Sequence, residues 1–216
     1  MTTPQPPREP TPGYYHIRKH WRWLMGAAAL FLKASRESSG LTQQVVALRA
    51  QTSTPALSHI ENSKRDPSAA KLDTLLRATG NRLGVVPTNR SGSLEAGAAI
   101  HDELAIGDEK SAFRSFLQFS DNLAAETGVV RVVLAANEPP STGSLLWDAA
   151  LAAVSEYWLN RGHLPVPDWT TQADRTLAHR TVLSGDRYTR SIDQHDVPRE
   201  FAARNVAVDR SVLASV

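Results

Sequence analysis

The chain contains no cysteine, which excludes disulfide scaffolds, thiol nucleophiles and cysteine-ligated zinc or iron–sulfur centres. It is also short of long apolar runs. The longest, Trp23 to Leu32, falls far below the roughly 20 residues that a membrane-crossing helix requires. A basic stretch, His16 to Arg22, precedes that run and copies the outline of a secretory signal. Lys33 ends the run and no small-x-small cleavage site precedes a loop, so the expectation is a cytoplasmic protein with no membrane partner. Glycine-rich phosphate loops are missing too. His163, His179 and His195 have no nucleophile or carboxylate at a diagnostic spacing. Asp168, Asp174, Asp186, Asp193 and Asp196 are scattered as a solvated acidic surface would be. These absences lead us to expect no catalytic residue, no metal, no cofactor and no enzyme.

What is present divides unevenly. Residues 1–90 carry 13 Lys and Arg against 5 Asp and Glu, a net charge of +8, whereas residues 91–216 carry 11 against 17, a net charge of −6. The overall +2 therefore hides a basic half suited to a polyanion and an acidic half suited to a basic protein or to repelling that polyanion. A length of 216 residues accommodates two domains with separate cores. We divide the chain into a Pro-rich and then aromatic, basic arm over 1–25, a first domain over 26–88, a linker over 89–110 and a second module over 111–216.

In the arm, Pro4, Pro6, Pro7, Pro10 and Pro12 forbid a helix or strand interior, so a flexible segment is expected there. Tyr14, Tyr15, Trp21 and Trp23 then alternate with Arg18, Lys19 and Arg22. That pattern fits a nucleic-acid-binding arm or, as the plainer reading, a helix packed on the next one. His16 and His20 stand four apart but read as a surface pair, since no further metal ligand accompanies them. Met25 stands at the edge of the first domain and is an alternative translation start.

From Ala27 the signals sharpen. Leu30, Phe31, Ala34 and Glu37 fall at helical spacing, and Gly40 after Ser38-Ser39 suits a left-handed cap. Thr42 is placed to N-cap a helix over Gln43 to Ala50 with Val46, Ala47 and Ala50 inward. Gln51-Thr52 makes a short turn. Ser53 is placed to N-cap a third helix with Pro55 in its first turn and Leu57 and Ile60 as its buried stripe. Two short helices joined by a tight turn are the requirement for a helix-turn-helix.

Leu41-Thr42-Gln43-Gln44, Val46-Ala47, Thr52-Ser53, Leu57-Ser58, Ile60-Glu61-Asn62 and Lys64-Arg65-Asp66-Pro67-Ser68 resemble the lambda-repressor/Cro-like, or XRE, family of helix-turn-helix regulators. The resemblance runs over about 60 residues, Gly26 to Pro87, through Leu72, Leu75, Leu76 and Ala78 to Gly80 and on to Leu83 and Pro87. It implies a five-helix domain whose third helix enters the major groove of the chain's own operator. Thr54, Pro55, Ser58 and His59 would then face base edges, while Gln43, Asn62, Lys64 and Arg65 would meet phosphates. Chemistry supports the second group: Lys64 and Arg65 supply charge, and Gln43 opens a helix whose N–H groups favour an anion. The reading face is short and weakly polar, so DNA shape is expected to share in the specificity. Two departures from the family stand out. Gln51 and Ser63 occupy positions where the family has glycine, so both turns require non-glycine residues at positive φ. Val45 and Leu48 are apolar where an isolated domain is polar, and would pack against the arm or against a second subunit.

In the second half, Phe113, Phe116, Leu117, Ser120, Leu123 and Ala124 trace one helical face. Val129 to Leu134 has the β-branched density of a buried strand, although helix remains open for so short a run. Trp147, Leu151, Val154 and Trp158 form the stripe of a helix over Ser144 to Arg161 that ends at Gly162. Leu164 to Trp169 is extended by its two prolines, and Pro198 to Val216 reads as helix, Asn205 turn, short Val206-Ala207-Val208 strand and an Asp209-capped helix. The fold class expected is mainly α, an N-terminal five-helix helix-turn-helix domain with a smaller α+β module.

The combination of such a head with Trp147 to Trp169 and Glu200 to Val208 is similar to antitoxins of nucleotidyltransferase-type toxin–antitoxin operons. That resemblance implies a homodimeric repressor of its own operon whose C-terminal module binds the toxin. A ligand-responsive XRE-type regulator with a small-molecule-sensing module is the competing expectation.

Overall fold

A computed structural model describes residues 13–184 and 192–213, the side chains of 13–25 excepted. The expected Pro-rich arm over 1–12 and Asp186 lie outside the described residues. Nine α-helices and one pair of two-residue strands occur among those described. They serve two hydrophobic cores, one on either side of residue 90.

The first core belongs to α1 (Gly13–Ser38), α2 (Gln43–Arg49), α3 (Thr54–Glu61) and α4 (Ala69–Ala78). Leu32, Val46, Ala47, Leu57, Ile60, Leu72, Leu75 and Leu76 close it. Four helices build this head where five were expected. Residues 81–92, with Gly84 and Pro87, form no helix, and Leu83 and Val85 there are exposed. The buried stripe of α1 is also rotated from the expected one. Ala29 and Leu32 are buried and Arg36 nearly so, while Leu30, Phe31 and Ala34 are half-buried and Glu37 is exposed. A cation on the inward face caused the misreading, because helical periodicity counts only apolar positions.

The second core is organised around α8 (Leu145–Arg161), preceded by α5 (Ser93–Ala105), α6 (Glu109–Ala125) and α7 (Gly128–Ala135). The brief helix expected near Leu94 to Leu104 is α5, and Leu94 and Ile100 are buried in it. Most of 89–110 therefore packs as structure. In α8 nearly every residue from Trp147 to Leu159 is buried, so the helix is apolar all round and needs cover on every side. Phe116, Trp147, Tyr157 and Phe201 meet at ring separations of 6.3–6.5 Å, mostly edge to face. Ser120 joins the cover by accepting from Trp158 Nε1 at 2.9 Å and donating to Leu213 O at 2.7 Å.

The apolar run at 129–134 is helix α7. Arg131, Leu134 and Ala135 are buried, whereas Val129 and Val133 are exposed, a three-and-four spacing that a strand cannot produce. Arg131 makes the helix necessary. Its guanidinium donates to Glu126 O at 2.8 Å, Ala124 O at 3.2 Å and Trp158 O at 3.0 Å, capping the C-terminal ends of α6 and α8 together. Burial, and then the nearby charge of Arg161, lowers its pKa.

Beyond α8 the chain lays short pieces over the core: turns of tight helix at Asp168–Thr171 and Ala173–Arg175, β1 (Thr181–Val182), α9 (Arg199–Ala202) and β2 (Val206–Ala207). The strands pair in parallel, Thr181 with Val206 and Val182 with Ala207. The expected Asn205 turn has φ 58°, and Asp209 accepts from Ser211 N as the expected cap. Trp169 Nε1 donates to Ala135 O at 3.0 Å. Arg204 donates to Thr170 O and Glu200 O and pairs with Glu156 at 2.6 Å.

Gly97 on α5 lies against the Pro139-Pro140 turn, where a β-carbon would come within 2.6 Å of Pro139 Cβ and 3.2 Å of Pro140 O. Gly97→Ala is expected to lower unfolding stability by about 1–3 kcal/mol, read from urea midpoints. Glu200 gives a pH test. Burial opposes its ionisation, but hydrogen bonds from Asn160 and Arg199 outweigh it and hold its pKa below 4.5. A depressed carboxyl pKa stabilises the fold above the unfolded value and ceases to do so as pH falls through the folded one. Glu200→Gln should therefore be less stable at pH 7 and lose less further stability on acidification from pH 5 to pH 3, as followed by thermal melts.

Candidate nucleic-acid interface

The α2–turn–α3 unit starts from two caps. Thr42 Oγ1 accepts from Val45 N and Ser53 Oγ from Ala56 N, both at 3.3 Å, and Pro55 sits in the first turn of α3 as expected. Gln51 has φ 49° and Ser63 φ 55°, so both glycine substitutes adopt the left-handed conformation that the turns demand. Gln51 N donates to Leu48 O, and Lys64 N and Arg65 N both donate to His59 O. These bonds fold the chain tightly at each end of the unit.

One polar cluster fixes the angle between its helices. Arg36 of α1 grips Glu61 at the end of α3 in a bidentate pair, Nε to Oε1 at 2.7 Å and Nη2 to Oε2 at 3.0 Å. Arg36 also donates to Leu41 O at 3.1 Å, and Gln43 Nε2 of α2 donates to Glu61 Oε2 at 2.8 Å. The Glu61 side chain is only 3% exposed and that of Arg36 13%. Bonding to Glu61 raises the Arg36 pKa against the opposing effect of burial. Arg36 was not read from the sequence as a site residue. The available signal was its position four residues after Leu32, which puts a cation on the buried face with a glutamate at the end of α3.

The expected contact residues fall into distinct surroundings. Thr54, Pro55 and His59 are exposed on α3, and Ser58 is half-buried. Ser58 accepts from Asn62 Nδ2 at both its carbonyl and its hydroxyl, at 2.8 and 3.2 Å. Asn62 thus binds its own helix end. Gln43, expected to offer its amide outward, commits that amide to Glu61. Lys64 and Arg65 are exposed, and no ion pair engages either among the described residues. The outer face of α3 and the following turn therefore form one exposed strip with two free cations. Val45 and Leu48 on α2 are 36% and 79% exposed.

Residues 27–81 match the family model of a helix-turn-helix domain. The match supports a DNA-binding regulator. Comparison with curated proteins and with solved structures returns no match. Among the described residues no cluster of three or more potential metal ligands occurs, and no helix is long and apolar enough to cross a membrane.

Removing Glu61 tests the cluster. Glu61→Ala leaves the nearly buried Arg36 guanidinium with only the exposed Glu37 as counter-charge, and a loss of about 1–3 kcal/mol in stability is expected. Urea denaturation checks this, with Lys64→Ala, at a solvated position, unchanged to within about 0.5 kcal/mol.

Proposed function

We propose that the protein is a sequence-specific transcriptional repressor that binds its own operator as a homodimer. We take it to be the antitoxin of a toxin–antitoxin operon, with the acidic C-terminal module binding the toxin and no catalytic role. The observation that carries the DNA-binding part is the exposed face of α3, held at a fixed angle by Arg36–Glu61–Gln43 and followed by the exposed Lys64 and Arg65.

The division of labour follows from contact chemistry. Lys64 and Arg65 meet phosphates, which set affinity and its dependence on salt but carry no sequence information. Thr54, Pro55, Ser58 and His59 face the groove, and His59 alone among them offers an extended polar group for base edges. With Asn62 and the Gln43 amide turned to intramolecular partners, few direct contacts remain, so groove shape supplies part of the discrimination. The XRE assignment rests on the family pattern of residues 26–87. The antitoxin role rests on the acidic charge of residues 91–216 and on the resemblance of the tail.

The deciding experiment titrates the full chain against its own upstream DNA at two salt concentrations, with and without the product of the adjacent gene. Tight, salt-dependent binding that the neighbour strengthens or relieves supports a self-regulating antitoxin. Tight binding indifferent to the neighbour removes the toxin partner and favours the ligand-responsive regulator. Within that assay Arg65→Ala should weaken operator and random DNA alike and lower the salt slope by about one unit. His59→Ala should instead shift the ratio between the two. Equal losses on both DNAs for both variants would sink the residue roles.

A further inference from the structure

Hydroxyls inside helices often turn back on their own backbone. Thr74 of α4 donates to Ala70 O and Ser155 of α8 donates to Leu151 O, each at 2.9 Å and four residues back. Ser58 stands in the middle of α3, four residues after Thr54, yet among the described residues its hydroxyl donates no hydrogen bond. It accepts instead. Asn62 Nδ2 reaches Ser58 O at 2.8 Å and Ser58 Oγ at 3.2 Å.

The Ser58 carbonyl fixes which way the Asn62 amide is turned. A carbonyl oxygen only accepts, so the amide atom 2.8 Å from it is the nitrogen, and both hydrogens of that nitrogen are spent on Ser58. Asn62 has no donor left for a phosphate oxygen, which argues against the phosphate role that the family pattern implied. Ser58 Oγ has one lone pair occupied and its O–H free, and an accepted hydrogen bond polarises a hydroxyl into a better donor. Thr54, Ser58 and Asn62 run i, i+4, i+8 along the flank of α3 beside the buried Leu57, Ile60 and Glu61, with Thr54 and Asn62 exposed and Ser58 half-buried. The hydroxyl therefore lies at the edge of the exposed strip.

We propose that Ser58 reads a base edge as a hydrogen-bond donor and that Asn62 is its positioning residue, so that α3 demands an acceptor on the base it meets there. In the major groove guanine offers N7 and O6, adenine N7 and thymine O4, whereas cytosine offers only its amino group. The Ser58–Asn62 unit therefore excludes cytosine at one position of each half-site. The proposal rests on the reading of the protein as a DNA-binding regulator and gives two residues of that site a joint role in specificity.

The test binds the full chain to a pool of duplexes randomised over about 20 base pairs, two helical turns, and sequences the bound fraction. Cytosine should be depleted about twofold to tenfold at one position per half-site, the range of a single hydrogen bond, and Ser58→Ala should lift that depletion. Asn62→Ala should lift it too in the unsubstituted background and add nothing in a Ser58→Ala chain, a non-additivity that a merely structural role would not produce. Asn62→Asp supplies a carboxylate that takes the Ser58 proton and leaves the hydroxyl an acceptor. Preference at that position should then move toward cytosine or adenine, the bases with an amino group in the major groove. A uniform loss on every sequence with Asn62→Ala would mark a phosphate contact and overturn the proposal. Independent effects of the two alanine substitutions, or an Asn62→Asp chain that keeps the original preference, would overturn it as well. A pool left unenriched by the unsubstituted chain defeats the regulator reading and the proposal with it; enrichment whose base preferences ignore Ser58 and Asn62 defeats the proposal alone.

Discussion

The head depends on one buried charge pair. Arg36 and Glu61 lie 25 residues apart in sequence, and between them they touch three of the four helices of the head once Gln43 is included. Burying two charges costs solvation that their attraction only roughly offsets, so a pair of this kind is weak evidence for stability by itself. Its geometry does something an apolar pair could not. A planar guanidinium meeting both carboxylate oxygens admits one orientation, and Gln43 takes a further hydrogen bond at one of those oxygens. The end of α3, the start of α2 and the inner face of α1 are thereby fixed to one another. The outer face of α3 is thereby held at a set angle to α1 and α2 from behind.

The cluster also explains what sequence reading could and could not reach. Caps and turns were legible because they are local. Thr42, Ser53 and Asp209 bond within three residues, and Gln51 and Ser63 had to adopt positive φ once the two helices around each were placed. The stripe of α1 was not legible, because its third inward residue is an arginine whose burial makes sense only beside Glu61. The same fault produced the strand reading of residues 129–134. Val, Val, Arg, Val, Val suits a strand on local propensity, but Arg131 finds its acceptors at the ends of α6 and α8, and only a helix delivers it there. In both places a buried arginine with distant partners overrides a local pattern. The intended contacts of Gln43 and Asn62 were obscured in a related way: both have polar partners within the fold that spacing cannot reveal.

The C-terminal module meets a different demand. Because α8 is apolar on every side, it has to be surrounded, and the chain does so with α5, α6 and α7 followed by short, proline-set segments. Such segments contribute few backbone ladder bonds, and the two-residue strands illustrate how little sheet is involved. Buried arginines replace the missing ladders. Arg204 ties the tight helical turn at Asp168–Thr171 to α8 and α9, and Arg175 ties the following turn to Glu138 in the stretch between α7 and α8. Arg204 satisfies two carbonyls and a carboxylate at once, which helps to bury irregular backbone without stranding its polar groups, whereas Arg175 reaches carboxylates alone and its buried Nε has no hydrogen-bond partner among the described residues.

Between these two units the charge changes sign, and the change follows their tasks. A charge of +8 over residues 1–90 favours a polyanion such as DNA, whereas a second module of the same sign would add non-specific attraction to it. An acidic module avoids that competition. Electrostatics of this kind contributes to which surfaces meet more than to how tightly they hold.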